Sequence, residues 1–430
     1  MYSYKRNPKE NTPPQADRCK MNNLKEKYLR KYSISEILLF LFLAIFPFEK
    51  HAAVFVLYAL VLSVIITGSY LNFKQNIKEN KVLLVLASIY LLYFLRILLQ
   101  GESTFDLEQK LSLLVFPLTL LYSNINFTKN YLSAKIIYLF SSVASIVCCF
   151  LIALYNYSLS DNVSYFFYDK LSFFIHVGYY AMFLCLAMAI ALDLFLFSDF
   201  SRRRKNIFLI SAIILAVGVL FLSAKASLFA MILIFFLFGF RFVQKTKQWK
   251  KALLFFLLII FFGILAYFFL DVLKERIDTF ISSLIEPPRH ADTTSSREMI
   301  WQRAFELIER KPFFGYGADA NNMLFESYRN HGMTVELEKK LNAHNEFLQM
   351  FLGLGVIGFI FLSYVLIKGF IVSIKNSDIV FLSFLIIIFI GFATESMLET
   401  EAGILYFSMF YCLFMITEKA NANDVQSTLM

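Results

Sequence analysis

Apolar runs long enough to cross a bilayer recur along almost the whole chain. They fall at about 34–48, 51–71, 82–99, 111–124, 132–154, 173–197, 206–222, 226–243, 252–270, 346–367, 379–393 and 403–417. Inside hydrocarbon a backbone finds no water to bond. Each such run is therefore driven into a helix that satisfies its own N–H and C=O groups. The fold class implied is all-α, a polytopic transmembrane bundle of about 12 spans, in which the 34–48 and 111–124 runs are short. Hydrophobic residues make up 58% of the 430 and charged residues only 17%, against roughly a quarter charged in soluble domains. The net charge of +9 calls for no nucleic-acid partner, because the surplus sits in short loops where it acts as a topology signal.

Those loops sort by charge. "KEKYLRKY", "NFKQNIKENK", "SRRRKN", "QKTKQWKK" and "KGFIVSIKNS" are basic, whereas "FEKH", "QGESTFDLEQK", the 155–172 stretch and "TESMLETE" are poor in Lys and Arg. Lys and Arg accumulate on the cytoplasmic side, so the first set and both termini are placed inside. The long basic tail before the first run argues against a cleaved signal peptide. The organisation expected is a cytoplasmic tail over 1–32, a transmembrane bundle over 33–270, an outer loop over 271–343, further spans over 344–418 and a cytoplasmic tail over 419–430. The five cysteines show neither zinc-binding nor disulfide spacing.

The outer loop is long for a connection and patterned as helix. "SSREMIWQRAFELIERKP" opens with a capping box, Ser295 to Glu298. It carries Ile300, Trp301, Ala304, Phe305 and Ile308 on one face and is closed by Pro312. "FFGYGAD" reads as a turn and "ANNMLFESYRNHG" as a second helix. "VELEKKLNAHNEF" reads as a third helix running straight into the next span.

The informative charges lie near the outer surface. Arg96, inside the third span, costs roughly 2.5–3.5 kcal/mol at mid-bilayer and needs either a partner or a snorkelling path. Lys110, at the start of the fourth span, and Lys225, in the tight turn "LSAKASL", face the same choice between anchor and ligand site. Arg297 lies at the positive end of the loop helix, where a cation is disfavoured unless an anion is near. His344, at the mouth of a span, is the natural general base near neutral pH, although a lone histidine is more often structural. His176 stands in apolar surroundings and reads as a packed or interfacial residue. "GLGVIG", Gly353 to Gly358, has the spacing of a nucleotide-binding loop but lies inside a spanning helix, where small residues serve close packing. Glu395, Glu399 and Glu401 could hold a divalent metal or simply face water, and no matching ligand set accompanies them.

Three patches resemble the bacterial O-antigen ligase and polymerase family of membrane glycosyltransferases. They are "SREMIWQRAFELIERKPFFGYG", "AHNEFLQMFLGLGVIG" and "ESMLETEAGILYF". The resemblance covers the C-terminal third closely, while the N-terminal spans agree in number and hydropathy. It implies a metal-independent inverting transferase in the bacterial inner membrane that requires no cofactor. Its donor would be a glycan on polyprenyl diphosphate, and its acceptor hydroxyl would belong to lipid A core or to another glycan, at the periplasmic face among membrane lipids. By position, Arg297 matches the family's loop arginine and His344 its motif histidine, and both are expected to be catalytic. Lys225 stands where the family commonly has arginine in a Ser-Arg pair, here Ala-Lys, which keeps the charge and loses the bidentate fork. Arg297, Lys225, Arg96 and Lys110 are the cations expected to bind the diphosphate, with Asn345 and Glu399 in support. Ligase is favoured over polymerase by the loop and the "ESMLETEAG" patch. A lipid-linked oligosaccharide transporter and a non-catalytic scaffold are the readings from other classes.

Overall fold

The computed structural model describes residues 32–100, 105–251 and 293–428, together with 253, 257, 267, 274 and 278. The basic tail up to residue 31, and all but single positions of the 252–270 run and of 271–292, lie outside the described residues.

Among the described residues the chain forms α-helices and short 3-10 turns, without a strand. The first group is α1 (Ile34–Ile45), α2 (Lys50–Thr67), α3 (Tyr70–Glu79), α4 (Lys81–Gln100), α5 (Phe105–Lys110) and α6 (Ser112–Tyr122). Next come α7 (Phe127–Ser160), α8 (Tyr168–Leu171), α9 (Val177–Phe197), α10 (Arg202–Leu222) and α11 (Lys225–Thr246). The loop contributes α12 (Thr293–Arg310), α13 (Ala320–Asn330) and α14 (Thr334–Glu338), and the chain ends with α15 (Glu346–Lys375), α16 (Ile379–Thr394) and α17 (Glu401–Thr428).

Every apolar run within the described residues is helical. Among the described residues seven helices, α2, α4, α7, α9, α10, α11 and α15, are long and apolar enough to cross a membrane. The chain is thus an all-helical, multi-pass membrane protein. The remaining apolar helices, α1, α6, α16 and the part of α17 up to Thr417, are shorter. The 11 residues of α6 rise roughly 16 Å, about half of a hydrocarbon core. Only Leu111, itself helical in φ and ψ, separates α6 from α5. In α17 the helix continues through 419–428, so the tail expected there begins without a backbone break.

The bundle is organised around α9, whose buried residues lie on all sides of the helix, as expected when lipid touches little of it. Alanines at 181, 187, 189 and 191 let neighbours approach closely. Tyr138 and Tyr406 donate hydrogen bonds to the α9 carbonyls of Phe183 and Met182 at 3.1 and 3.2 Å. Phe183 stacks between Phe46 and Tyr406, with ring centroids 4.7 and 4.5 Å away.

Hydrogen bonds and ion pairs tie the helix ends into two opposite surfaces. At the basic end Asn130 bonds Glu36, Tyr131 bonds Asp378 and Lys135 pairs with Asp193. Lys245 and Arg204 lie over the rings of Phe197 and Phe200. The opposite end, called the site end below, gathers Lys50 on Glu401 and Lys110 on Glu399.

The loop helices have their own core, Ile300, Ala304, Leu307, Leu324 and Tyr328, joined by Leu352 of α15. That junction is a break in a membrane helix. Gly355 has φ 63° and ψ −157°, a conformation open essentially to glycine alone. A Cβ there, or at Gly315 (φ +62°), would overlap backbone of the opposing segment. The turn after Pro312 fills the break: Tyr316 N–H donates to the Leu352 carbonyl at 2.7 Å, and Val356 N–H to the Pro312 carbonyl at 2.8 Å. "GLGVIG" therefore packs closely, but against a loop backbone as well as a helix. Gly353 admits Tyr93 of α4, and Gly355 opens α15 for the turn. Gly355→Ala is expected to cost about 1–3 kcal/mol from backbone strain alone, read as a lowered thermal midpoint in detergent, whereas Gly332→Ala, with open space around it, loses only the positive-φ preference.

Candidate active site

Two departures from the sequence expectation shape the loop side of the site. The described part of α12 runs from Thr293, so the backbone at Ser295, expected as the first residue of a capping box, is already helical. The third loop helix stops at Glu338 and does not run into the span, so His344 sits in an irregular turn over 339–345. Lys340 and His344 both have left-handed backbones, at φ 48° and 44°. A left-handed residue other than glycine costs roughly 1–2 kcal/mol, and the neighbours supply what offsets it. Asn342 Oδ1 accepts from His344 N–H at 3.1 Å, and Asn345 Oδ1 caps α15 through Leu348 N–H at 3.1 Å. Such local side-chain bonds compete with helix. Tyr328 donates to the Leu341 carbonyl and Trp301 Nε1 to the Ala343 carbonyl, at 3.1 and 3.0 Å.

The turn delivers His344 to Glu395, which caps the C-terminus of α16. His344 Nδ1 lies 2.8 Å from Glu395 Oε2, and Arg297 Nη2 donates to Oε1 of the same carboxylate at 2.7 Å. One carboxylate thus joins a loop helix, the mouth of α15 and the end of α16. Both nitrogen partners remain partly open to solvent, the His344 side chain at 26%. With Nδ1–H directed at the carboxylate, Nε2 keeps the lone pair and is the basic nitrogen.

Arg297 also has its expected anion. The positive end of α12 is tolerated because Glu395 faces it. Burial alone would raise the Glu395 carboxyl. The hydrogen bond and charge of His344, then the charges of Arg297 and His176, outweigh burial and hold it below the usual carboxylate range. His176 is exposed at the site end, its ring centroid 5.9 Å from that of Tyr179.

Beside this triad lies a second cluster. Lys110, 6% exposed, pairs with Glu399 at 2.5 Å and donates to the Leu398 carbonyl at 2.9 Å. Glu346 accepts from Leu398 N–H at 2.7 Å, so both backbone polar groups of Leu398 are held. Asn321 donates to Glu399 and Gln349 to Asn321, at 3.3 and 2.8 Å. Lys110, Glu399, Asn321, Gln349 and Tyr93, with Ile97 and Leu107, line a small cavity. Arg96 donates to the Gly315 carbonyl at 3.2 Å and so braces the turn that fills the α15 break.

The sequence candidates therefore separate. His344 and Arg297 meet on one carboxylate, and Asn345 holds the turn between them, also reaching the Ala393 carbonyl at 3.3 Å. Lys110 and Glu399 pair with each other, so Lys110 is a buried partner and not a cation aimed at solvent. Lys225 opens α11 at the site end. It lies two residues before Ser227, whose carbonyl takes the Cys185 thiol of α9, while Gly391 of α16 packs on Met182 one turn away. Glu395, Glu399 and Glu401 turn to three different sets of partners, so they do not converge as a metal site. Glu395 as the central acceptor escaped the sequence reading, as did Asn321, Gln349 and the hydrogen bond that Trp301, read only as an apolar face residue, gives to the Ala343 carbonyl. The only available signal was that a histidine base ordinarily has a carboxylate behind it.

Residues 209–363 match the family model described as O-antigen ligase. The match takes in Lys225, Arg297 and His344 and ends within α15, before Glu395. No curated protein matches the chain.

A carboxyl held below its unfolded value contributes stability that is fully present above the ordinary carboxylate range, about 4, and is lost as pH falls through the lowered folded value. The excess thermal stability of the parent protein over Glu395→Gln in detergent should accordingly hold at neutral pH and shrink in acid below that range. A difference independent of pH would dissociate the carboxylate from the bridge.

Proposed function

We propose, taking the chain as a ligase- or polymerase-type membrane glycosyltransferase of the O-antigen ligase family, that it moves a glycan from a polyprenyl-diphosphate carrier to an acceptor hydroxyl at the outer face of the bacterial inner membrane. The observation that carries this reading is the shared carboxylate: a histidine base and an arginine cation fixed side by side at the mouth of a membrane helix. The positive-inside rule puts the basic end in the cytoplasm with both termini, and the site at the periplasmic surface.

In the reaction His344 Nε2 accepts the proton of the acceptor hydroxyl as its oxygen bonds the anomeric carbon. The carbon–oxygen bond to the diphosphate breaks on the opposite side, its electron pair leaves with the phosphate, and the anomeric centre inverts. Glu395 keeps the imidazole in the tautomer with Nδ1 protonated and offsets the charge it gains. The remaining N–H groups of Arg297, together with Lys225, meet the negative charge growing on the leaving group. Arg96 and Lys110 serve indirectly, one bracing the turn at Gly315 and the other holding Glu399. The donor is already activated by its diphosphate, so the displacement needs no cofactor.

Ligation to lipid A core is the transfer favoured by the loop and C-terminal patches. A transporter would place polar groups at a broken helix near the midplane. Here the break in α15 supports an enzyme instead, because both freed backbone groups are satisfied by the turn that fills it.

Cells lacking the gene should accumulate full-length glycan not attached to core, visible on gels. A single repeat attached to core would identify a polymerase, and an unchanged profile would refute both. In proteoliposomes with donor and acceptor on one face, His344→Ala should lower transfer by roughly 10²–10⁴-fold. Full activity of that variant at normal membrane levels would remove the base assignment.

A further inference from the structure

The backbone conformation of His344 has a visible cause, reached through a chain of amides that begins at the buried Lys110. Ala343, the residue before it, is fully buried, and both polar groups of its backbone are taken by side chains from other elements. Trp301 Nε1 donates to its carbonyl at 3.0 Å, and its N–H donates to Gln349 Oε1 at 3.2 Å. The direction of the Gln349 amide is fixed in turn. Its Nε2 donates to Asn321 Oδ1 at 2.8 Å, and Asn321 Nδ2 donates to Glu399 Oε2 at 3.3 Å. Each donor in the relay points toward the Glu399 carboxylate, which Lys110 neutralises from its other oxygen. An amide flipped at Gln349 would set two acceptors against each other at Asn321 and two donors against each other at Ala343.

We propose that Gln349 is a positioning residue for His344: oriented by Asn321 and Glu399, and working with Trp301, it clamps the backbone of Ala343 from both sides and so fixes the left-handed backbone from which the imidazole reaches Glu395. The inference builds on the base role proposed for His344, but its geometric content is separate from that role. Gln349 is 2% exposed and in this scheme touches neither donor nor acceptor. The buried Lys110–Glu399 pair thereby acquires a function: it sets the polarity of the relay, and the nearby cavity is where the relay ends.

The test uses the full-length protein in detergent and in proteoliposomes, with Gln349→Met, which keeps length and packing while removing both polar atoms, and Trp301→Phe, which removes only the indole donor and some ring. Carbethoxylation of His344 by diethyl pyrocarbonate, followed by mass spectrometry, reads the placement and environment of the imidazole without any transfer reaction. His51 and His331, both exposed, serve as internal references for an intact fold. Both variants should change the His344 labelling rate at least about threefold with His51 and His331 unchanged, and should lower kcat at least about tenfold with the KM for donor within about twofold. Wild-type His344 labelling in both variants overturns the positioning role. If labelling moves as expected while His344→Ala retains transfer, the clamp stands and the base assignment falls, so the two failures are distinguishable.

Discussion

The site depends on a single carboxylate with two partners. Glu395 holds His344 on one oxygen and Arg297 on the other, so three stretches of chain distant in sequence are fixed by one group. Sharing one anion holds the imidazole and the guanidinium side by side. The carboxylate also leaves the imidazole with one nitrogen committed and one available. Charge balance and the placement of the imidazole are therefore the same feature, and neither could be altered without the other.

The membrane fold makes that arrangement possible by an interruption and not by regularity. α15 begins at the site and breaks at Gly355, nine residues or roughly 13 Å along its length. The turn from Pro312 to Tyr316 enters the gap and returns the hydrogen bonds that the break removes. Because that turn directly follows α12, the helix that carries Arg297 and Trp301 is anchored to the helix whose mouth carries His344. Arg96 adds a bond from α4 to the same turn. The loop is thus a plug in the bundle with its own small core, and the site lies along its seam.

Much of this was legible in the amino-acid order where a local rule governs the outcome. Apolar runs became helices because hydrocarbon leaves the backbone no alternative. The amphipathic loop helix put Ile300 and Ala304 into the loop core because an apolar face is withdrawn from water, whereas Phe305, expected on that face, is exposed and Leu307 lies inside instead. The order of residues failed where a distant partner decides. "VELEKKL" has good helix formers, yet the helix ends at Glu338 because Tyr328, Trp301 and the asparagines claim the backbone of the following turn. Gly355 and Gly315 were visible as small residues. That Gly355 accommodates the backbone of Phe313 and Phe314, and Gly315 that of Leu352 and Gly353, is a property of the tertiary fold alone. Glu395 looked no different from Glu399 and Glu401 in sequence; its role follows from a contact 51 residues away.

The account stands or falls on whether Glu395 acts through His344. A double-mutant cycle on the transfer rate, using Glu395→Ala, His344→Ala and the double variant, addresses this directly. The account requires strong coupling, with the double variant no slower than His344→Ala alone. Independent, multiplicative losses would mean that the carboxylate and the imidazole do not work as one unit, and would contradict it.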